Sequence, residues 1–226
     1  MSRSVDHHLE EIKNLILSMG GYVERALEEA VQSLLIGESQ PKESKAHFDK
    51  VHELEQKINE NQITVDNECM AFVATQGPVA KDLRFIISVI KINADLERMG
   101  DQCVNISYSA KEYLARTERV AGLADIDRMS HLVREMVKMS LDCFVKENVE
   151  LAKAVLLKDD EVDALKQKVF VDGSAAIKKN SAVSESALDL ILIARNLERL
   201  GDHATNIAED VIFVSTGKDV RHGKYS

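Results

Sequence analysis

A chain of 226 residues with a formal net charge of −9 and no basic run of the kind that tracks phosphate backbones does not read as a nucleic-acid binder. Its 45% hydrophobic share is enough for a real core and too much for disorder, and its two prolines, absent Trp and scarce aromatics favour long helices. Cys69, Cys103 and Cys143 are odd in number, far apart and in no C-x-x-C pair, which argues against a thiolate metal site or a disulfide framework.

From about 5 to 36, apolar residues recur at three- and four-residue steps through Val5, Leu9, Ile12, Ile16, Met19, Val23, Leu27, Val31 and Leu34. That is the pattern of an amphipathic helix. Gly20-Gly21 is expected to interrupt and bend it, and Gly37 with Pro41 to end it. A second helix is predicted over about 42–74. Gln76-Gly77-Pro78 makes the turn, with Pro78 in the first turn of a third helix that reaches about 115. Residues 117–124 read as the boundary between halves, giving one unit over 1–117 and a second over 118–226.

Three further helices are predicted over 125–146, 149–179 and 184–216. Asn180-Ser181 is the break between the last two, Ser184 the N-cap and Gly217 the stop. Short connections make antiparallel neighbours, so each half is expected to be a three-helix bundle and the whole an all-α protein. No apolar run is long enough to span a bilayer, and the first residues lack the apolar core of a signal peptide. A cytoplasmic protein is expected.

The halves are linked by a repeated segment. Asp95-Leu-Glu-Arg-Met-Gly-Asp101 returns as Asn196-Leu-Glu-Arg-Leu-Gly-Asp202, and over 13 positions at an offset of 101 seven residues are identical. On a helix, Glu97 and Asp101 lie a turn apart on one face, as do Glu198 and Asp202. A solvated face is the ordinary reading of such a pair. However, like charges at this spacing cost roughly 0.2–0.5 kcal/mol, and Gly100 and Gly201, inside the helix, cost about 1 kcal/mol each relative to Ala. A glycine there suggests close approach to the backbone by a neighbouring helix or a bound ion.

Asp159 and Asp163 form another acidic pair on the preceding helix. In an antiparallel hairpin, residues at equal height are equidistant from the turn. The midpoint of Asp163 and Glu198 and that of Asp159 and Asp202 are both 180.5, the predicted break. Four carboxylates therefore arrive at one level. Facing each other, they would raise one another's pKa values. Either a hard or borderline cation or a salt-bridge network with Arg195, Arg199 or a lysine would resolve the repulsion. In the first half, aligning Val51-His-Glu-Leu-Glu-Gln-Lys57 with Val162-Asp-Ala-Leu-Lys-Gln-Lys168 sets Phe48 and His52 opposite Asp101 and Glu97. His52 can ligate a metal and Phe48 cannot; Asp49 and Glu53 stand one position along as substitutes. His203, beside Asp202, is a further candidate.

With these residues in hand, the chain resembles the PhoU family of bacterial phosphate-signalling regulators over nearly its whole length. The motifs that carry the resemblance are Asp82-Leu-Arg84, Asp95-Leu-Glu-Arg-Met-Gly-Asp101, Asp159-Asp-Glu-Val-Asp163, Leu197-Glu-Arg-Leu-Gly-Asp-His-Ala-Thr-Asn-Ile-Ala-Glu209 and Thr216-Gly217 with Arg221-His222. The resemblance implies two pseudo-symmetric three-helix bundles with acidic pairs that bind metal ions. Here these fall on Glu97/Asp101, Asp159/Asp163 and Glu198/Asp202, with Phe48/His52 as a departure at the fourth pair. Iron, zinc, manganese or magnesium is the implied metal.

The resemblance also implies a non-enzymatic homodimer that is a negative regulator of the phosphate-starvation response. Its partners would be the ATPase subunit of a phosphate ABC transporter and a sensor histidine kinase. Two other readings stand beside it. One is a carboxylate-bridged di-metal enzyme, against which counts the lack of any Glu-x-x-His pair. The other is a metal-free helical interaction scaffold.

Overall fold

The structure, a computed structural model, describes residues 2–221, with side chains from Val5 onward; His222 of the terminal motif lies outside them. Six long helices follow in order: α1 Ser2–Leu35, α2 Pro41–Gln76, α3 Ala80–Ala115, α4 Leu123–Lys146, α5 Val149–Lys179 and α6 Ser184–Thr216. A single 3₁₀ turn, Ser181–Val183, joins α5 to α6. The helix boundaries lie close to those read from periodicity, with three local differences.

First, α1 runs through Gly20-Gly21 without interruption. Gly20 serves packing instead: a Cβ there would stand 2.5 Å from Leu141 Cδ1. Second, Pro78 lies in the loop before α3, and it is Pro41 that occupies a helix first turn, at the start of α2. α2 runs on to Gln76 and is closed by Gly77, whose φ of 55° is left-handed and whose N–H donates to the Val73 carbonyl at 3.3 Å. Third, Ser184 begins α6, and the capping role falls to Asn180, whose side chain accepts from the Ala182 N–H at 3.1 Å.

α1, α2 and α3 pack against one another as one bundle, and α4, α5 and α6 as a second. The halves join through α3 on α6 and α1 on α4. Partners climb along α3 as they descend along α6, from Lys91–Asp210 through Asp95–His203 to Arg116–Glu185, so the central pair is antiparallel. Ile16, Val23, Phe72, Leu96, Met99, Met136, Leu197 and Leu200 belong to one hydrophobic core that draws on every long helix. Each such large side chain contributes about 1.5–3 kcal/mol on burial.

The segment between the halves is held in place. Tyr113 Oη donates to the Val120 carbonyl at 2.7 Å, and the Val120 N–H donates to Ser186 Oγ at 3.1 Å. Arg116 reaches Asp189 at 3.1 Å and Glu185 at 2.8 Å, tying the end of α3 to the start of α6. Among the described residues no helix is long and apolar enough to cross a membrane.

Candidate functional site

In the second half, α5 and α6 bring Asp159, Asp163, Glu198 and Asp202 to one level, as their spacing from the turn requires. Asp159 is pushed up to about 6, first by burial and then by the charges of Asp202, Asp163 and Glu198. Asp202 is likewise raised by burial and by Glu198 and Asp163. The tight spot is the back of the cluster, where Asp159 Oδ1 is buried without a hydrogen-bond partner. A Cβ on Gly201 would lie 3.4 Å from that oxygen, so the glycine keeps the wall beside it low.

One cation already stands there. Lys166 Nζ donates to Asp163 Oδ1 at 2.6 Å and to Glu198 Oε1 at 2.7 Å, and these two bonds raise its own pKa. The sequence placed the four acids but did not single out this lysine, one turn beyond Asp163. Arg195 and Arg199, the other candidates for pairing, make no ion pair with the cluster.

The first half corrects the expected register. A Cβ on Gly100 would meet Ile58 Cδ1 at 3.0 Å, just as one on Gly201 faces Val162 Cγ1 at 3.7 Å. Ile58, not Val51, is therefore the counterpart of Val162. Buried Val51, Ile58, Val65 and Cys69 then match buried Val155, Val162, Val169 and Gly173 at a constant offset. The alignment that paired Val51 with Val162 was slipped by one heptad, which keeps the helix face but moves the height by about 10.5 Å.

The residues equivalent to Asp159 and Asp163 are consequently Glu55 and Asn59. Glu97 is raised by burial first, then by Asp101, and Glu55 adds to the same push. Asn59 Nδ2 donates to Glu55 Oε1. Asn59 Oδ1 is buried without a partner, like Asp159 Oδ1 in the other half. Phe48 and His52 sit elsewhere, in an edge-to-face group with Tyr108. His52 is thus two turns from the level at which it was expected to act.

Between the two clusters lies a pair that periodicity did not reveal. His203 Nδ1 meets Asp95 Oδ1 at 2.8 Å, and Asn206 Nδ2 donates to the same oxygen at 3.2 Å. His203 does not join Asp202 as a ligand. It binds α6 to α3, and when protonated it opposes part of the upward push on both Glu97 and Asp202. Asp210 is also drawn inward, to Lys91 at 2.9 Å.

Among the described residues no three His, Cys, Asp or Glu side chains form a ready group for a metal ion. The chemistry of the second-half set nonetheless fits a cation. One ammonium pairs with two of the four carboxylates, and a buried oxygen of a third, Asp159, has no donor. The donors are all oxygen, which suits hard ions such as magnesium or manganese. Asp159, Asp163, Glu198 and Asp202 would hold the ion, and Lys166 would have to yield Asp163 and Glu198. In the first half the donors would be Glu55, Asn59, Glu97 and Asp101, with Gln62 in place of Lys166.

This architecture has relatives. The PhoU domain family model matches twice, over residues 16–110 and 126–211. A phosphate-specific transport system accessory protein PhoU homolog from Pseudomonas putida is 33% identical over 98% of this chain and 84% of its own. One of the same description from Zymomonas mobilis is 33% identical over 96% of this chain and 89% of its own. The crystal structure of PhoU from Pseudomonas aeruginosa superposes with a TM-score of 0.88 at 31% identity, covering 94% of this chain and 99% of that one. The phosphate transport system regulatory protein PhoU from Streptococcus pneumoniae does so with a TM-score of 0.83 at 25% identity, covering 96% and 99%. Both repeated halves are matched, and the chain belongs to the PhoU family.

Proposed function

We propose that this protein is a regulator of phosphate uptake. It is a metal-binding adaptor that links a phosphate ABC transporter to a sensor histidine kinase and keeps the phosphate-starvation response off when phosphate is plentiful. The observation that carries the proposal is the end-to-end kinship with accessory proteins of phosphate-specific transport, both repeats included. The adaptor works by docking, in the cytoplasm and as a homodimer, and not by catalysis. A purified tagged protein added to extracts of phosphate-replete cells, with manganese present, should retain the transporter's ATPase subunit and the kinase. Retention of neither would remove the adaptor reading.

The metal role rests on the excess of carboxylates over cations at the α5/α6 cluster. A second reading has a specific observation in its favour. Lys166 already bridges Asp163 and Glu198, as a metal-free scaffold would require. The two readings part on metal content, since a scaffold neutralised by Lys166 needs none.

A further inference from the structure

We infer that the protein carries a binding site for a small flat aromatic anion, in a cavity at the α1/α2 turn that the acidic clusters do not use. The cavity holds about 530 Å³ and is lined by Pro41, Lys45, Phe48, Asp49, Lys111 and Leu114 among others. Ligand sites of small molecules typically fall in the range of about 300–1,000 Å³ and combine apolar walls with a few placed charges.

Two ammonium groups and one carboxylate border this cavity, in a chain whose net charge is −9. Neither Lys45 nor Lys111 has an ion-pair partner among the described residues. Lys111 Nζ stands 5.2 Å from the centre of the Phe48 ring, a cation–π contact that holds the charge at the cavity wall. Phe48 is in turn braced edge-to-face by His52 at 4.8 Å and Tyr108 at 5.5 Å between ring centres. Aromatics make up only 4% of this chain, so two of them with a histidine and a lysine at one place is a local concentration.

The second half lacks this aromatic group at the matching positions. At the offsets that align the repeats, Ala152, Leu156 and Glu209 stand where Phe48, His52 and Tyr108 do. The aromatic group beside the cavity is thus a feature of one half, while the acidic clusters are a feature of both. A ring laid against Phe48 and the apolar floor of Pro41 and Leu114 would bring its anionic group to Lys45 and Lys111. The hydroxyls of Ser33, Ser44 and Ser107 spend their protons on backbone carbonyls, so the lysines are the donors available to the anion.

Anilinonaphthalene sulfonate, an aromatic anion whose fluorescence rises in apolar surroundings, is the probe. Titrated into the full chain, it should bind saturably with a dissociation constant on the order of 10–100 µM. The surface double substitution Lys45→Gln with Lys111→Gln, which leaves the core untouched, should weaken binding at least tenfold, and Phe48→Ala should do the same. Leu188→Ser with Leu192→Ser, on an exposed apolar face of the other half, should leave it unchanged. Absence of saturable binding would overturn the site. So would binding lost in the leucine variant and kept in the lysine variant.

Discussion

Asp159 is the residue where the α5/α6 cluster is most strained, and Asp159→Asn relieves that strain without changing shape. In the folded protein its carboxyl is pushed from the ordinary 3.8 to about 6. That step is worth about 3 kcal/mol at full strength, and the half-exposed position of the group cuts it to about 1–2 kcal/mol. The sign follows from proton counts. Below pH 3.8 the group is protonated whether the chain is folded or not, and it costs nothing. Between 3.8 and about 6 the folded chain holds a proton that the unfolded chain has released, so stability falls as pH rises. Above that window the whole cost is present. Without metal, Asp159→Asn should therefore be more stable than the parent at pH 7.5, and by pH 4.5 the gain should have shrunk by more than half. For a chain of this length, about 2–4 °C of melting temperature per kcal/mol gives a rise of about 2–8 °C. Thermal melts in EDTA at the two pH values measure it. An unchanged melting temperature, or the same gain at both pH values, would refute the claim that burial and the neighbouring acids penalise the ionised Asp159 carboxylate.

Lys166→Met removes the ammonium from between Asp163 and Glu198. The metal-free protein should lose about 1–2 kcal/mol in urea unfolding, while added manganese should restore more stability to the variant than to the parent. In the first half, Glu55→Ala should weaken manganese binding measured by calorimetry, and His52→Ala should leave it unaltered; the reverse result would reinstate the slipped register. Gly20→Ala should destabilise by about 1–3 kcal/mol, because its methyl would drive into Leu141. Gly201→Ala, whose nearest neighbour would be at 3.4 Å, should be neutral or slightly stabilising in the same unfolding assay.

The contrast between the two halves shows what a sequence carries and what it does not. Helix extents were legible because apolar spacing and the breaks at Gly37 with Pro41, at Gly77-Pro78 and at Asn180-Ser181 state them directly, although Gly20-Gly21, inside α1, gave a false break. The α5/α6 register was legible because Asn180 and Ser181 form a short break with a definite centre. The α2/α3 register failed because Val51 and Ile58 are both core positions, seven residues apart on one face. Either one can be laid on Val162 without disturbing the burial pattern. The loop itself held the answer: Pro78 is equidistant from Asn59 and Glu97, and from Glu55 and Asp101.

Other features had no local signal. Lys158, Lys166 and Lys168 all stand near the acidic pair in sequence, and only Lys166, three residues after Asp163, shares its helix face, while Lys158 goes to Glu135 and Lys168 to Asp125; the second partner of Lys166, Glu198, is on another helix. The Asp95–His203 contact joins residues more than a hundred positions apart across the two bundles. Periodicity within one helix says nothing about such a pair. It also explains why His203, which adjoins Asp202 in sequence, turns away from that cluster.

Metal content is the most direct test of the claim that the paired acidic clusters are cation sites. The protein should be purified without chelator and analysed by inductively coupled plasma mass spectrometry, alongside Asp163→Ala, Asp202→Ala and the double variant Glu55→Ala with Glu97→Ala. Bound metal in the parent, reduced by the Asp163 and Asp202 changes and independently by the first-half pair, is the predicted result. Equal metal content in all four proteins, or none in the parent after incubation with manganese, would contradict it.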